Sequence, residues 1–349
     1  MSRDAFEIAL LLAMGGGLTL YVLLGGADFG GGVWDLLAAG PKRDRQRALI
    51  SAAIGPVWEA NHVWLIFVVT ALFAAFPLAF AVITQALYLP LSIAIGGIVL
   101  RGAAFAFRSH GDPDSGWQRA WTRVFGIASL VTPIALGMTG AALSTGDVRV
   151  VDGEAEASLV GAWTGPLSWL AGGLALAMCA HLAAAYLTVE AGSRGEPDLV
   201  SAFRRRAVIS GVAAGGLALL GLLVMRADAP VLWRGMVSDG WPLVVVSSVA
   251  GLGAIGAIVV GRPRAARIAV AVAVAAVIGG WGVAQAPYLV VPDLTTSDAA
   301  APLGALRPLA IGYVVGGAVI APSLYALFRV FKRPGSEGVG VSEGDRPST

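Results

Sequence analysis

Apolar residues come in runs of about twenty, each closed by a cluster of charged or turn-forming residues, and this alternation recurs along nearly the whole chain. A run of that length is what a helix needs to cross the roughly 30 Å hydrocarbon layer of a bilayer. The pattern predicts nine such helices, at about residues 6–24, 49–73, 78–100, 124–143, 164–189, 207–225, 241–260, 268–286 and 305–328. Phe76 and Pro77 mark a tight turn between the second and the third. The expected fold is all-α and polytopic, two four-helix bundles with the ninth helix at their periphery, although no sequence repeat relates the two sets. Residues 1–334 are expected to form one membrane domain, and the polar, glycine-rich stretch 335–349 a flexible tail.

Composition agrees with a lipid-facing surface. Hydrophobic residues make up 57% of the 349 and charged residues only 13%, with a mean hydropathy of +0.77. The first run is expected to be a retained helix, since no small-residue cleavage site follows it. A net charge of +2 confined to short connections gives no support to nucleic-acid binding. Cys179, the only cysteine, allows neither an internal disulfide nor a thiolate metal cluster.

Charge also sets sidedness. Lys and Arg concentrate in the connections 40–48, 101–123, 190–206 and 261–267 and beyond residue 329; those at 144–160 and 287–304 are acidic and 226–240 is balanced. Positive-inside bias then puts the N terminus on the periplasmic or outer side and the C terminus in the cytoplasm of a multi-pass protein. One missed helix would place successive basic connections on opposite sides, so this pattern supports nine.

Candidate chemistry centres on Ile54 to Ile66, IGPVWEANHVWLI, where an acid, an amide and an imidazole stand inside an otherwise apolar helix. A carboxylate at membrane depth is costly unless paired, hydrated or protonated, so Glu59 points to a polar track within the bundle. Asn61 and His62 extend that track with donors and acceptors. Trp58 and Trp64, six positions apart, do not share a helix face and read as separate packing anchors. Asp28 lies among glycines in GGADFGGG. It reads either as the interfacial end of the first helix or as part of a hydrated ion-conducting groove, the glycines allowing a close crossing or a local break. Close packing is likewise expected at Gly15 to Gly17, Gly96 and Gly97, Gly172 and Gly173, and Gly316 and Gly317; none belongs to a complete phosphate-binding motif. Arg101 and Arg108 are expected to reach head groups or a partner subunit's acid. His110 reads as a hydrated loop residue, His181 as a packed hydrogen-bonding residue rather than a haem ligand, and Glu190 as interfacial.

GPVWEANHVWLI, followed by ALFAAFP, resembles the helix-two signature of subunit II of cytochrome bd-type quinol oxidases, whose usual form is close to PxWDGNQVWL. ADFGGG resembles that family's FDMGVG segment, and RGAAFAFR its segment after helix three. The motif resemblance covers about residues 15–125; beyond it, length and the nine-helix plan carry the match. It implies a complex in the bacterial cytoplasmic membrane that oxidises quinol and reduces dioxygen to water. Subunit I would carry haems b558, b595 and d and the quinol-oxidation loop. Subunit II, similar in fold, would ligate no haem iron, stabilise the complex and contribute a proton route, so this chain would not be active alone. Small single-helix subunits, membrane lipids and a structural quinone are further implied partners. The positions carried over are Asp28, Trp58, Glu59, Asn61 and Trp64, and the proton-path candidates are Glu59, Asp28 and His62. Three departures stand out: Glu59 replaces the usual Asp, His62 the usual Gln, and Gly25 the family's second acid near the helix-one break. Two other readings stay open, an ion-coupled transporter built on the glycine-rich first helix, and a purely structural oxidase subunit.

Overall fold

A computed structural model describes residues 2–54, 58–108 and 116–331. Its helices are α1 (Arg3–Leu36), α2 (Arg43–Ile54), α3 (Trp58–Ala75), α4 (Pro77–Ala86), α5 (Tyr88–Arg108), α6 (Gly116–Thr145), α7 (Pro166–Ser193), α8 (Pro197–Asp228), α9 (Pro230–Ser238), α10 (Trp241–Val259), α11 (Pro263–Gln285), α12 (Thr296–Ala299) and α13 (Leu303–Phe331). Two small antiparallel hairpins, β1 (Arg149–Val151) with β2 (Glu154–Glu156) and β3 (Tyr288–Val290) with β4 (Leu294–Thr295), lie in the connections. Helices dominate because a bilayer offers backbone N–H and C=O groups no partner, so each segment must satisfy its own.

Among the described residues, α1, α5, α6, α7, α8, α10, α11 and α13 are long and apolar enough to cross a membrane. The α3 and α4 pair passes the same test together but is bent by 117°. The chain is thus an all-α polytopic membrane protein with eight to nine apolar spans. The helix expected at 78–100 is divided: α4 ends at Ala86, and α5 starts after Leu87 and continues to Arg108. Phe76 leaves the helical region at φ −134°, ψ 62°, and Pro77 opens α4 at a position where a missing N–H costs nothing.

The first helix departs most from expectation. Instead of ending near residue 24 it runs unbroken to Leu36 through all the glycines. Glycine is a poor helix former in isolation, but α7 fills the notches the glycines leave, and packing outweighs propensity. A Cβ on Gly30 would stand 1.9 Å from the Cys179 carbonyl oxygen, and Trp34 Nε1 donates to the Ala180 carbonyl at 2.8 Å. Gly17, Gly97 and Gly172 also sit at close crossings, whereas Gly15, Gly16, Gly96, Gly316 and Gly317 have open space where a Cβ would go. Around α1 pack α3, α6 and α7; α5 lies on α6, α8 and α11 adjoin α7, and α10 packs against α8 and α11. α13 touches mainly α1 and α3.

The two charge classes of connection gather at opposite ends of α1, which is roughly 50 Å long. At its start, Arg3 Nε bonds Glu7 at 2.9 Å, and Ser297 Oγ donates to Glu7 at 3.1 Å. There too Arg149 grips Asp293 through two nitrogens at 2.7 and 2.9 Å, joining the two acidic connections. At the other end Lys42 and Arg45 meet Asp198 and Glu196 at 3.1 and 2.8 Å, and Arg204 donates to the Val259 carbonyl.

The Arg149 clamp sets a pH response. Its guanidinium holds the Asp293 carboxyl below the usual carboxylate range. A carboxyl lowered on folding stabilises fully above its unfolded value of about 3.9, and that contribution is lost as pH falls through the lowered folded value. The Val150 N–H, which donates to Asp293 at 3.0 Å, is therefore expected to show hydrogen-exchange protection at neutral pH that is lost only as pH falls below about 3.9 and through the lowered folded value. A loss that sets in at the same pH in Arg149→Ala would rule the clamp out as its cause.

Candidate functional site

The densest buried polar group lies where α1, α3, α5 and α6 meet. Asp28 is 4% exposed and sits about 12 Å of helix before Leu36, inside α1 rather than at its end. Asn61, four residues into α3 and 3% exposed, donates from Nδ2 to Asp28 Oδ2 at 2.7 Å. His62 follows, its ring edge-on to Tyr21 with centroids 6.1 Å apart and tilted against Phe29 at the same separation. The backbone of Trp58 and Glu59 forms the first turn of α3; their side chains, like all of His110, lie outside the described residues. Trp64 packs beside Tyr21, Phe29 and Cys179 and meets Phe67 edge-on at 6.4 Å.

Neither arginine reaches for head groups. Arg101 is 1% exposed, its guanidinium between the rings of Phe29 and Phe125 at 5.0 Å from each. Nε donates to Ser129 Oγ at 3.1 Å, and the charge lies within electrostatic reach of Asp28. Such burial suits a cation held by aromatic faces and a distant acid. Arg108 donates to Asp35 Oδ2 at 3.2 Å, and Arg47 lies 3.9 Å from the same carboxylate. The acid that Arg108 meets is therefore in its own chain.

Sequence reasoning missed Tyr21, Asp35 and Ser129. The available signal was spacing: Tyr21, Asp28 and Asp35 recur every seven residues, which puts them on one face of α1. Tyr21 Oη and Arg101 Nη2 are buried and without a hydrogen-bond partner among the described residues. The ring of Tyr21 covers Gly25, where a Cβ would lie 3.0 Å from it. Elsewhere, His181 Nδ1 lies 2.8 Å from the Ala207 carbonyl and Glu190 pairs with Arg194 at 2.9 Å near the basic end. Among the described residues no group of three or more His, Cys, Asp or Glu is placed to hold a metal ion, and Cys179 is a buried free thiol.

A family model described as cytochrome bd terminal oxidase subunit II matches residues 6–331. The chain belongs to that family. A Bacillus subtilis chain named as a cytochrome bd menaquinol oxidase subunit II, an assignment its name marks as provisional, is 23% identical over 323 residues, covering 90% of this chain and 92% of that one. A cytochrome bd-I ubiquinol oxidase subunit 2 of Escherichia coli is 28% identical over 149 residues, 42% of this chain and 39% of that one. The solved bd oxidase from Geobacillus thermodenitrificans shares the fold, with a TM-score of 0.74 at 22% identity over 94% of this chain and 99% of that chain. The polar group described above is therefore a feature of a subunit II, a chain whose family belongs to an oxidase complex.

Proposed function

We propose that this chain supports a haem-bearing subunit I in a quinol:dioxygen oxidoreductase and carries protons toward the site of oxygen reduction. The haems and the quinol site belong, on this reading, to subunit I. The observation that carries it is the Asp28–Asn61 pair deep in a membrane helix, beside an arginine with a free donor. An acid, an amide and an imidazole at that depth hold water and exchange protons where hydrocarbon alone would stop them. Family membership favours this reading over an ion-coupled transporter.

Nine crossings complete the proposal, in two four-helix bundles with α13 outside them and the N terminus facing the periplasm or exterior. Supporting it, Ala301 N–H donates to the Ala75 carbonyl at 2.8 Å, bringing the end of α3 to the acidic end. On this reading α3 is the crossing, and α4, which lies among β2, β3 and α12, is a cap.

Glu59→Gln and Asp28→Asn test the proton role in the assembled complex. Each is expected to slow quinol-driven oxygen uptake about tenfold or more while haem bands and subunit stoichiometry stay unchanged. Wild-type turnover and proton uptake in both variants would leave only a structural role. Affinity capture of the tagged chain from native membranes should bring down a larger subunit with b- and d-type haem bands; a haem-free single species would remove the assembly itself.

A further inference from the structure

The face of α1 that carries Asp28 holds a longer column. Asp35, Asp28 and Tyr21 stand seven residues apart, roughly 10 Å per step and about 20° short of two full turns, so their side chains stack along one side. All three are buried, at 1%, 4% and 4% exposure. The next position in the register is Met14, an apolar side chain, and one turn from it Gly17 is packed against the Phe67 ring. The polar steps from the basic end thus stop at Tyr21, and Met14 separates them from Glu7, the buried acid one step further on that Arg3 and Ser297 hold at the start of α1.

We infer that the Tyr21 hydroxyl is the step that follows Asp28 in the proton path, and that the column is closed above it by Met14 and Phe67. This rests on the proton-path reading given above. A buried hydroxyl without a partner is costly unless water completes it. Tyr21 Oη and Arg101 Nη2 are both such groups, and both side chains lie within electrostatic reach of Asp28 and of each other. Together they mark where water sits between Asp28 and Tyr21. A tyrosine hydroxyl accepts a hydrogen bond and donates one. It therefore takes a proton from the water on the Asp28 side and releases its own to water leading sideways to subunit I, where the proposed function has the protons consumed, with no net change in its charge. His62, edge-on to the same ring, fixes the ring's orientation. Asp35, held by Arg108 and Arg47, faces the column from the basic end. The apolar closure has its own purpose: a polar column running the full length of α1 would conduct protons straight across the bilayer.

Tyr21→Phe keeps the ring and removes only the hydroxyl. In the intact complex reconstituted in vesicles, quinol-driven oxygen uptake and proton uptake are expected to fall severalfold, with a larger solvent isotope effect. Haem spectra and melting temperature should match wild type, which a merely structural hydroxyl would not allow. Asp28→Asn measured alongside separates the two ideas. Slowed Asp28→Asn with wild-type rate and isotope effect in Tyr21→Phe overturns the Tyr21 step and leaves the path; wild-type behaviour in both overturns the path and this step with it. Met14→Asp supplies an independent arm: faster passive proton leak is expected, and an unchanged leak would show that the closure lies elsewhere.

Discussion

Gly30→Ala is expected to prevent most of the chain from reaching its packed state. The added Cβ would stand 1.9 Å from the Cys179 carbonyl oxygen, 2.4 Å from its carbon and 2.8 Å from Ala183 Cβ. Two of those atoms are backbone, so no rotamer change relieves the clash and α1 must move away from α7. Overpacking a tight core costs about 1–3 kcal/mol and more where backbone has to shift. Here the shift would also stretch the Trp34 bond to Ala180 and loosen Asp28 against its neighbours. Gly16→Ala is the matched control, because nothing lies within 4 Å of its added carbon and alanine is the better helix former. Thermal melting of the purified complex should separate the two by many degrees. Equal melting would mean that α1 and α7 do not meet so closely.

Arg101→Met is expected to be the most damaging volume-preserving change. Methionine fills much of the slot between Phe29 and Phe125 but removes the one cation that, among the described residues, acts on Asp28. Stripping one member from a buried charge group costs on the order of 3–5 kcal/mol, since the partner is left uncompensated in low dielectric. Removing the acid as well should restore part of that. The double variant Asp28→Asn with Arg101→Met is therefore expected to melt above Arg101→Met alone, although it turns over no faster. Strict additivity of the two changes would mean that the charges do not act on each other.

Much of this was readable in the residues. Run lengths reported the apolar crossings, and loop charge correctly separated connections that the structure gathers at opposite ends, tied by Lys42, Arg45, Glu196 and Asp198 at one and by Arg149 and Asp293 at the other. Of the two readings of the α1 glycines the close crossing holds and the break does not; local propensity favours a break because the filling partner is α7, far away in sequence. Arg101 was placed at the interface for a related reason. Hydropathy ends a run at the first charge, yet α5 continues for two more turns, and the aromatic rings that shelter the guanidinium come from α1 and α6. Asp28 and Asn61 were both recognised, but the bond between them spans helices and has no local signature. Tyr21 and Asp35 were overlooked because each looks ordinary alone; only the seven-residue register joins them.

The reliance of α1 on α7 also has a place in time. The Trp34 to Ala180 bond closes a separation of 146 residues, and a ribosome adding about 5–20 residues per second needs roughly 7–30 s to make that stretch. For that interval α1 sits in the membrane with the notches that α7 fills still empty, although Asn61 and Arg101, both made before α7, are already there to meet its carboxylate. The same surface that gives the mature protein one of its tightest crossings is, during synthesis, the mark of an unfinished one until α7 arrives.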